Sequence, residues 1–138
     1  MTDSLTAHLV VPVANDEDAR DTAAALDGFA FDRVTAVHVV EKGGGTPDKI
    51  PMEQAEQRAE AAFEAFRDAI PDAETEITYH TDVVEGVLEV TADCSASAIA
   101  FQPRGGSRVA QFLSGDTALK LVTEADRPVI ALPDGREE

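Results

Sequence analysis

A chain of 138 residues suits one domain around one hydrophobic core and is too short for two ordinary ones. Apolar residues make up 43% of it, with nine glycines and seven prolines, which excludes a disordered or collagen-like polypeptide. Its 27 acidic and 11 basic residues leave a formal charge of −16, with no basic stripe for nucleic acid or an anionic membrane surface.

Taken in order, the chain alternates strand and helix signals. Ala7 to Val13 is a continuous apolar run of strand length, with Pro12 placed at its carboxyl end. Asn15 or Asp16 caps a helix reaching Leu26 or Asp27, with Gly28 beyond it and Ala19, Thr22, Ala23 and Leu26 on its apolar face. Arg33 to Val40 is a second β-branched run, and the glycines and prolines of Glu41 to Pro51 predict a mobile loop. Met52 to Ile70 is a long amphipathic helix. Met52, Ala55, Ala59, Ala62, Phe63, Phe66 and Ile70 form one face, and Glu56, Glu60 and Glu64 form a solvated one.

Glu74 to Thr81 alternates polar and apolar residues, as an edge strand does. Gly86 to Asp93 reads as a shorter helix packed through Val87, Leu88, Val90 and Thr91. Ala98 to Phe101 is a short buried strand, followed by a long connection, Gln102 to Asp116, that holds Pro103, Gly105 and Gly106. Thr117 to Ala125 is the last helix, with Ala118, Leu119, Leu121, Val122 and Ala125 inward, and Arg127 to Pro133 the last strand. Asp134 to Glu138 is a charged tail.

Such alternation predicts an α/β fold, an open doubly wound sheet of five mainly parallel strands with helices on both faces. Ligands in such sheets bind past the carboxyl ends of the strands, where strand order reverses. If the first and fourth strands are neighbours there, Val13 and Ala14 face the connection from Gln102 to Asp116. A strand feeding a glycine-bearing loop and a helix N-terminus is also how α/β proteins build anion pockets. Other constellations carry less. His38 on an apolar run reads as a packed core histidine and Cys94 as a small packed residue. His80 and Asp82 lack the Gly-x-Ser-x-Gly elbow of a hydrolase, and no metal spacing, Walker loop or Rossmann fingerprint occurs.

The glycine spacing brings in a family. Gly105 and Gly115 enclose nine residues, and Gln102 stands three before Gly105. This resembles the phosphate loop of the universal stress protein (UspA) family, in which Gly, two residues, Gly, nine residues and Gly-Ser or Gly-Thr hold a nucleotide. Val11 to Val13, Val37 to Val40, the Gly86 segment from Val83 to Val90, Ala98 to Phe101 and Arg127 to Ala131 extend the resemblance over most of the chain. It implies an adenine nucleotide alpha hydrolase-like fold with strand order 3-2-1-4-5. It also implies a cytoplasmic homodimer paired through the last strand, at Val129, Ile130, Ala131 and Leu132. The pocket would be lined by Val13, Ala14, Val40, Gln102, Arg104, Gly105, Gly115, Asp116 and Thr117.

The departures from the family pattern argue that this pocket is degenerate. Ala14 stands where nucleotide-binding relatives carry an Asp that contacts the nucleoside, and the neighbouring Asn15 points elsewhere. Gln102 replaces a glycine and precedes Pro103, which holds it extended and removes one N–H donor. Asp116 replaces a hydroxyl donor. A carboxylate about 4 Å from one phosphate charge repels it by ~1 kcal/mol in water and ~4 kcal/mol in a half-buried site. A bridging Mg²⁺ or Mn²⁺ reverses that sign, and Asp116 reads equally as an N-cap of the last helix. Arg104 and Arg108 fit either an anion or neighbouring carboxylates.

The expected protein is thus a non-enzymatic stress-response or interaction module without a bound cofactor. The alternative is an ATP-binding member using Gly105, Gly115, Thr117 and Arg104, with slow hydrolysis or switching, and a third reading puts a flavin or phosphorylated metabolite in the same crevice. The excess of negative charge destabilises a compact state in dilute buffer. Near 1 M salt, where the Debye length is roughly 3 Å, that repulsion is screened. The composition therefore predicts a halophilic, archaeal-type cytosol, the alternative being an ordinary soluble acidic protein. One cysteine, no leader and no apolar run near membrane length fit the same compartment.

Overall fold

Why these runs become these elements is visible in the computed structural model, which describes residues 4–41, 52–102 and 115–133. Among them the order is β1 (His8–Pro12), α1 (Asp16–Leu26), β2 (Arg33–Glu41), α2 (Met52–Ala69), β3 (Glu74–His80), α3 (Val83–Asp93), β4 (Ala98–Phe101), α4 (Gly115–Glu124) and β5 (Val129–Ala131). The five strands form one sheet in the order β3-β2-β1-β4-β5, every neighbouring pair parallel. The doubly wound α/β architecture is the one the strand–helix alternation predicts, and the strand order is the one the family resemblance implies.

The pleat sorts side chains into two layers. Leu9, Val11 and Val13 of the first strand segment join Ala19, Ala23 and Leu26 of α1 and Ala59, Ala62, Phe63 and Phe66 of α2 on one face. Val10, Val37, Val39, Ile99 and Phe101 meet Val84, Val87 and Val90 of α3 and Leu121 of α4 on the other. The apolar face expected of the long helix is buried at Ala59, Ala62, Phe63, Phe66 and Ile70. Pro12 ends β1, and Val13 beyond it still donates to the Val37 carbonyl at 2.9 Å.

Several local expectations are corrected. α3 begins at Val83, before Gly86, because Asp82 caps it through a bond from the Glu85 N–H at 3.1 Å. In α4, Leu121 is buried and Ala118 and Ala125 pack beside it. Leu119 and Val122 are 63% and 52% exposed, since the helical period turns them off that face. Asp116 is not the N-cap of that helix: α4 starts at Gly115, which puts Asp116 inside the first turn, where an acid is also favoured by the dipole. The last strand is shorter than expected, and the Glu41 end of the supposed loop is part of β2. The rest of that loop, 42–51, and the tail 134–138 lie outside the described residues. Among the described residues no helix is long and apolar enough to cross a membrane.

Candidate functional site

β1 and β4 are adjacent while their chain connections run to opposite sides, so strand order reverses between them. The carboxyl edge there collects the ends of β1 (Val13, Ala14), β2 (Val40) and β4 (Gln102), together with the first turn of α4 (Gly115, Asp116, Thr117). Arg104, Gly105 and Arg108 lie outside the described residues. Residues 103–114, which would complete the expected crevice, lie outside the described residues.

The β1 lip is fixed from within the chain. Val13 and Val40 are buried. The Val13 carbonyl lies 3.0 Å from His38 Nδ1, and burial pushes the His38 imidazole below its ordinary pKa. An uncharged His38 donating from Nδ1 to that carbonyl satisfies both groups. This is the core histidine expected from the sequence, with one added role as a prop for the crevice lip.

The next donor along the chain is also engaged. The Ala14 N–H donates to Asp18 Oδ2 at 2.8 Å, and the Asp18 N–H donates to Asn15 Oδ1 at 2.8 Å. Asn15 caps α1, and the Asp18 carboxylate reaches back past the cap to the Ala14 N–H, an arrangement similar to a capping box displaced by one residue. Asn15 is thus committed to the helix, as the sequence reading of its direction requires. Asp18 is 2% exposed and sets a carboxylate at the lip. The sequence marks Asp18 as a first-turn acid suited to the helix dipole, and the Asn-x-x-Asp spacing ahead of an apolar helix is the signal of its further capping role.

At the β4 lip Gln102 is buried, and its Nε2 donates to the Pro133 carbonyl at 2.9 Å. Its side chain therefore fills space between the end of β4 and the chain leaving β5, where a glycine would leave a gap. Gln102 Oε1 is buried and finds no donor among the described residues. Thr117 is half-buried in the first turn of α4. Farther along the same edge, Lys120 Nζ donates to Asp82 Oδ2 and ties α4 to the cap of α3. That bond draws the Asp82 carboxyl below its usual range and the Lys120 ammonium above its own.

Among the described residues no three His, Cys, Asp or Glu side chains converge as metal ligands. The imagined His80–Asp82 pair is backbone to ring: the Asp82 N–H points to His80 Nδ1 at 3.3 Å, while its carboxylate serves α3 and Lys120. The expected interface residues divide. Val129 and Ile130 are half-buried and Ala131 is exposed at the sheet edge, whereas Leu132 is buried, its N–H donating to the Phe101 carbonyl at 2.7 Å.

Residues 6–133 match the model of the Universal stress protein family. The fold is similar to that of the universal stress protein from Archaeoglobus fulgidus in complex with dAMP, at 18% identity and a TM-score of 0.65, covering 94% of this chain and 100% of that one. It is similar to UspA from Lactobacillus plantarum, at 19% identity and a TM-score of 0.64, covering 95% and 100%. A universal stress protein in complex with cAMP matches at 12% identity and a TM-score of 0.55, covering 91% and 97%. Comparison with curated protein sequences gives no match.

Proposed function

The chain belongs to the universal stress protein family, and from that premise we propose that it is a member whose nucleotide crevice has degenerated. It acts as a non-enzymatic stress-response or interaction module. The observation that carries this reading is the engagement of the crevice lips by the chain itself. The Ala14 N–H is held by Asp18, Asn15 caps α1, and the Gln102 amide fills the β4 side and binds Pro133. Ala14 offers no carboxylate to a nucleoside. Asp116 is an acidic residue in the first turn of α4, and a carboxylate at such a position disfavours a phosphate at the helix N-terminus.

We further propose a homodimer joined through β5, in the high-salt cytosol for which a charge of −16 is suited. The free edge of β5 and the exposed Leu119 and Val122 of α4 support that partner, because a second copy covers both.

A second reading, an ATP-binding protein with Mg²⁺ or Mn²⁺ bridging Asp116, is favoured by the nucleotide complexes among its structural neighbours, with dAMP and with cAMP. Equilibrium binding of ATP in molar salt, with and without Mg²⁺, separates the two. The degenerate crevice predicts no submillimolar affinity in either condition. Submillimolar binding that depends on Mg²⁺ establishes the second reading.

A further inference from the structure

Where β3 ends and α3 begins, a histidine that the crevice does not use stands among acids. His80 closes β3, and Asp82, two residues on, is the N-cap of α3. The two elements lie close there, since a Cβ on Gly86 would come within 3.4 Å of His80 Cβ. The His80 ring sits between two carboxylates of α3. Its Nδ1 lies 3.9 Å from Glu85 Oε1, and its Nε2 lies 3.8 Å from Glu89 Oε1. Glu85 and Glu89 are four residues apart on the helix, so both reach the ring from one side.

Nδ1 has a second neighbour, the Asp82 N–H, which donates to it at 3.3 Å. A ring nitrogen accepts only through a free lone pair, so the ring in this arrangement is uncharged and carries its proton on Nε2, towards Glu89. Glu85 is the third residue of α3 counted from its cap, and Asp-x-x-Glu is the spacing of a capping box. In such a box the cap side chain takes the N–H of the third residue, and that residue's carboxylate takes the N–H of the cap. Here only the first half is formed: Asp82 Oδ1 accepts the Glu85 N–H at 3.1 Å. His80 Nδ1 holds the N–H that the Glu85 carboxylate would otherwise take.

We propose that the charge on His80 decides which acceptor holds the Asp82 N–H, making the start of α3 a pH-sensitive joint. The uncharged ring takes that N–H. A charged ring has a proton on Nδ1, which would face the Asp82 N–H donor to donor, so the bond is given up. The imidazolium then pairs with Glu85 and Glu89. The Glu85 carboxylate, with two oxygens, accepts from both Nδ1–H and the Asp82 N–H, and the capping box closes. The remaining groups around the ring are accounted for. Asp82 Oδ2 accepts from Lys120 Nζ of α4, and Glu41 is the register partner of His80 on β2. The exchange therefore takes place at the residue that ties the end of β3 to both α3 and α4.

Ring ¹⁵N NMR of His80, recorded with the Asp82 amide signal from about pH 8 to pH 5, where an ordinary imidazole takes up its proton, tests the proposal. The expected result is a neutral ring protonated at Nε2. As the ring charges, the Asp82 amide proton should move downfield along the same titration curve, having passed from a ring nitrogen to a carboxylate. A neutral ring protonated at Nδ1 overturns the proposal, as does an Asp82 amide that stays put or moves upfield. In Glu85→Ala the ring should still titrate, but the downfield movement should be lost; its persistence would show that Glu85 is not the second acceptor. Glu89→Gln, on the far side of the ring, should keep the movement, and its loss there counts equally against Glu85. Should the alanine variant not fold, the tautomer and the coupled titration of the wild-type protein decide the matter alone. The outcome does not depend on ATP binding.

Discussion

A single methyl group measures how tightly α3 lies on the sheet. A Cβ placed on Gly86 would sit 2.9 and 3.0 Å from the two methyls of Val39 and 3.4 Å from His80 Cβ. Val39 is buried and stiff at χ1, so it cannot turn away cheaply. Overpacking of this kind costs about 1–3 kcal/mol, against a gain of about 1 kcal/mol in helix propensity. Gly86→Ala is therefore expected to lower the midpoint of urea unfolding at unchanged slope; a raised midpoint would show that the helix can back away. At the crevice, residue chemistry was largely open to sequence reading. A carboxylate at position 116 and a glutamine at 102 are chemical facts before they are structural ones. What composition does not mark is the burial of Asp18 within a run of acids; the Asn-x-x-Asp spacing points to a cap, and the bond from the Ala14 N–H shows where the carboxylate goes.

Among the elements, strands and helices were legible wherever period and punctuation agreed. β4 has the bounds expected of it, and α1 runs between Asn15 and Asp27 as its capping residues dictate. Sequence pattern alone starts α3 one turn late, at Gly86, because the true cap, Asp82, acts through its side chain on the Glu85 N–H. Sequence pattern alone gives α4 too wide an apolar face. An isolated helix gives no reason to separate Leu119 and Val122 from Leu121, and only the position of β4 and β5 decides which residues face inward. Those two side chains are exposed, and β5 is the outer strand of the sheet among the described residues; the dimer proposed above needs both surfaces. Leu119→Lys together with Val122→Lys should shift sedimentation from dimer to monomer, with the far-ultraviolet circular dichroism retained. A wild-type protein that sediments as a monomer at micromolar concentration in molar salt contradicts that dimer.

For the molecule as a whole, two histidines couple folding to acidity. His8 and His38 are both held below their ordinary 6.5 by burial. Below pH 6.5 the unfolded chain therefore takes up protons that the folded one refuses, and stability falls as pH drops from there toward the folded-state values. Glu74 and Asp82, drawn below their ordinary 4.5 and 3.8 by Arg33 and Lys120, add a second loss at lower pH. Thermal melts in molar salt should show a falling midpoint beginning near pH 6.5, and His38→Asn should flatten that first step. A midpoint constant from pH 7 to 5 would contradict the burial of both rings.

The account rests on side chains at the crevice mouth turning a phosphate away while the scaffold is kept. ATP titration of the Gln102→Gly, Asp116→Ser double variant beside the wild-type protein, in the same molar salt, tests this most directly. Removing ~1–4 kcal/mol of repulsion and restoring a bond of roughly 0.5–1.5 kcal/mol predicts at least a tenfold gain in affinity. Equal affinity of the two proteins, whether both weak or both submillimolar, would contradict it.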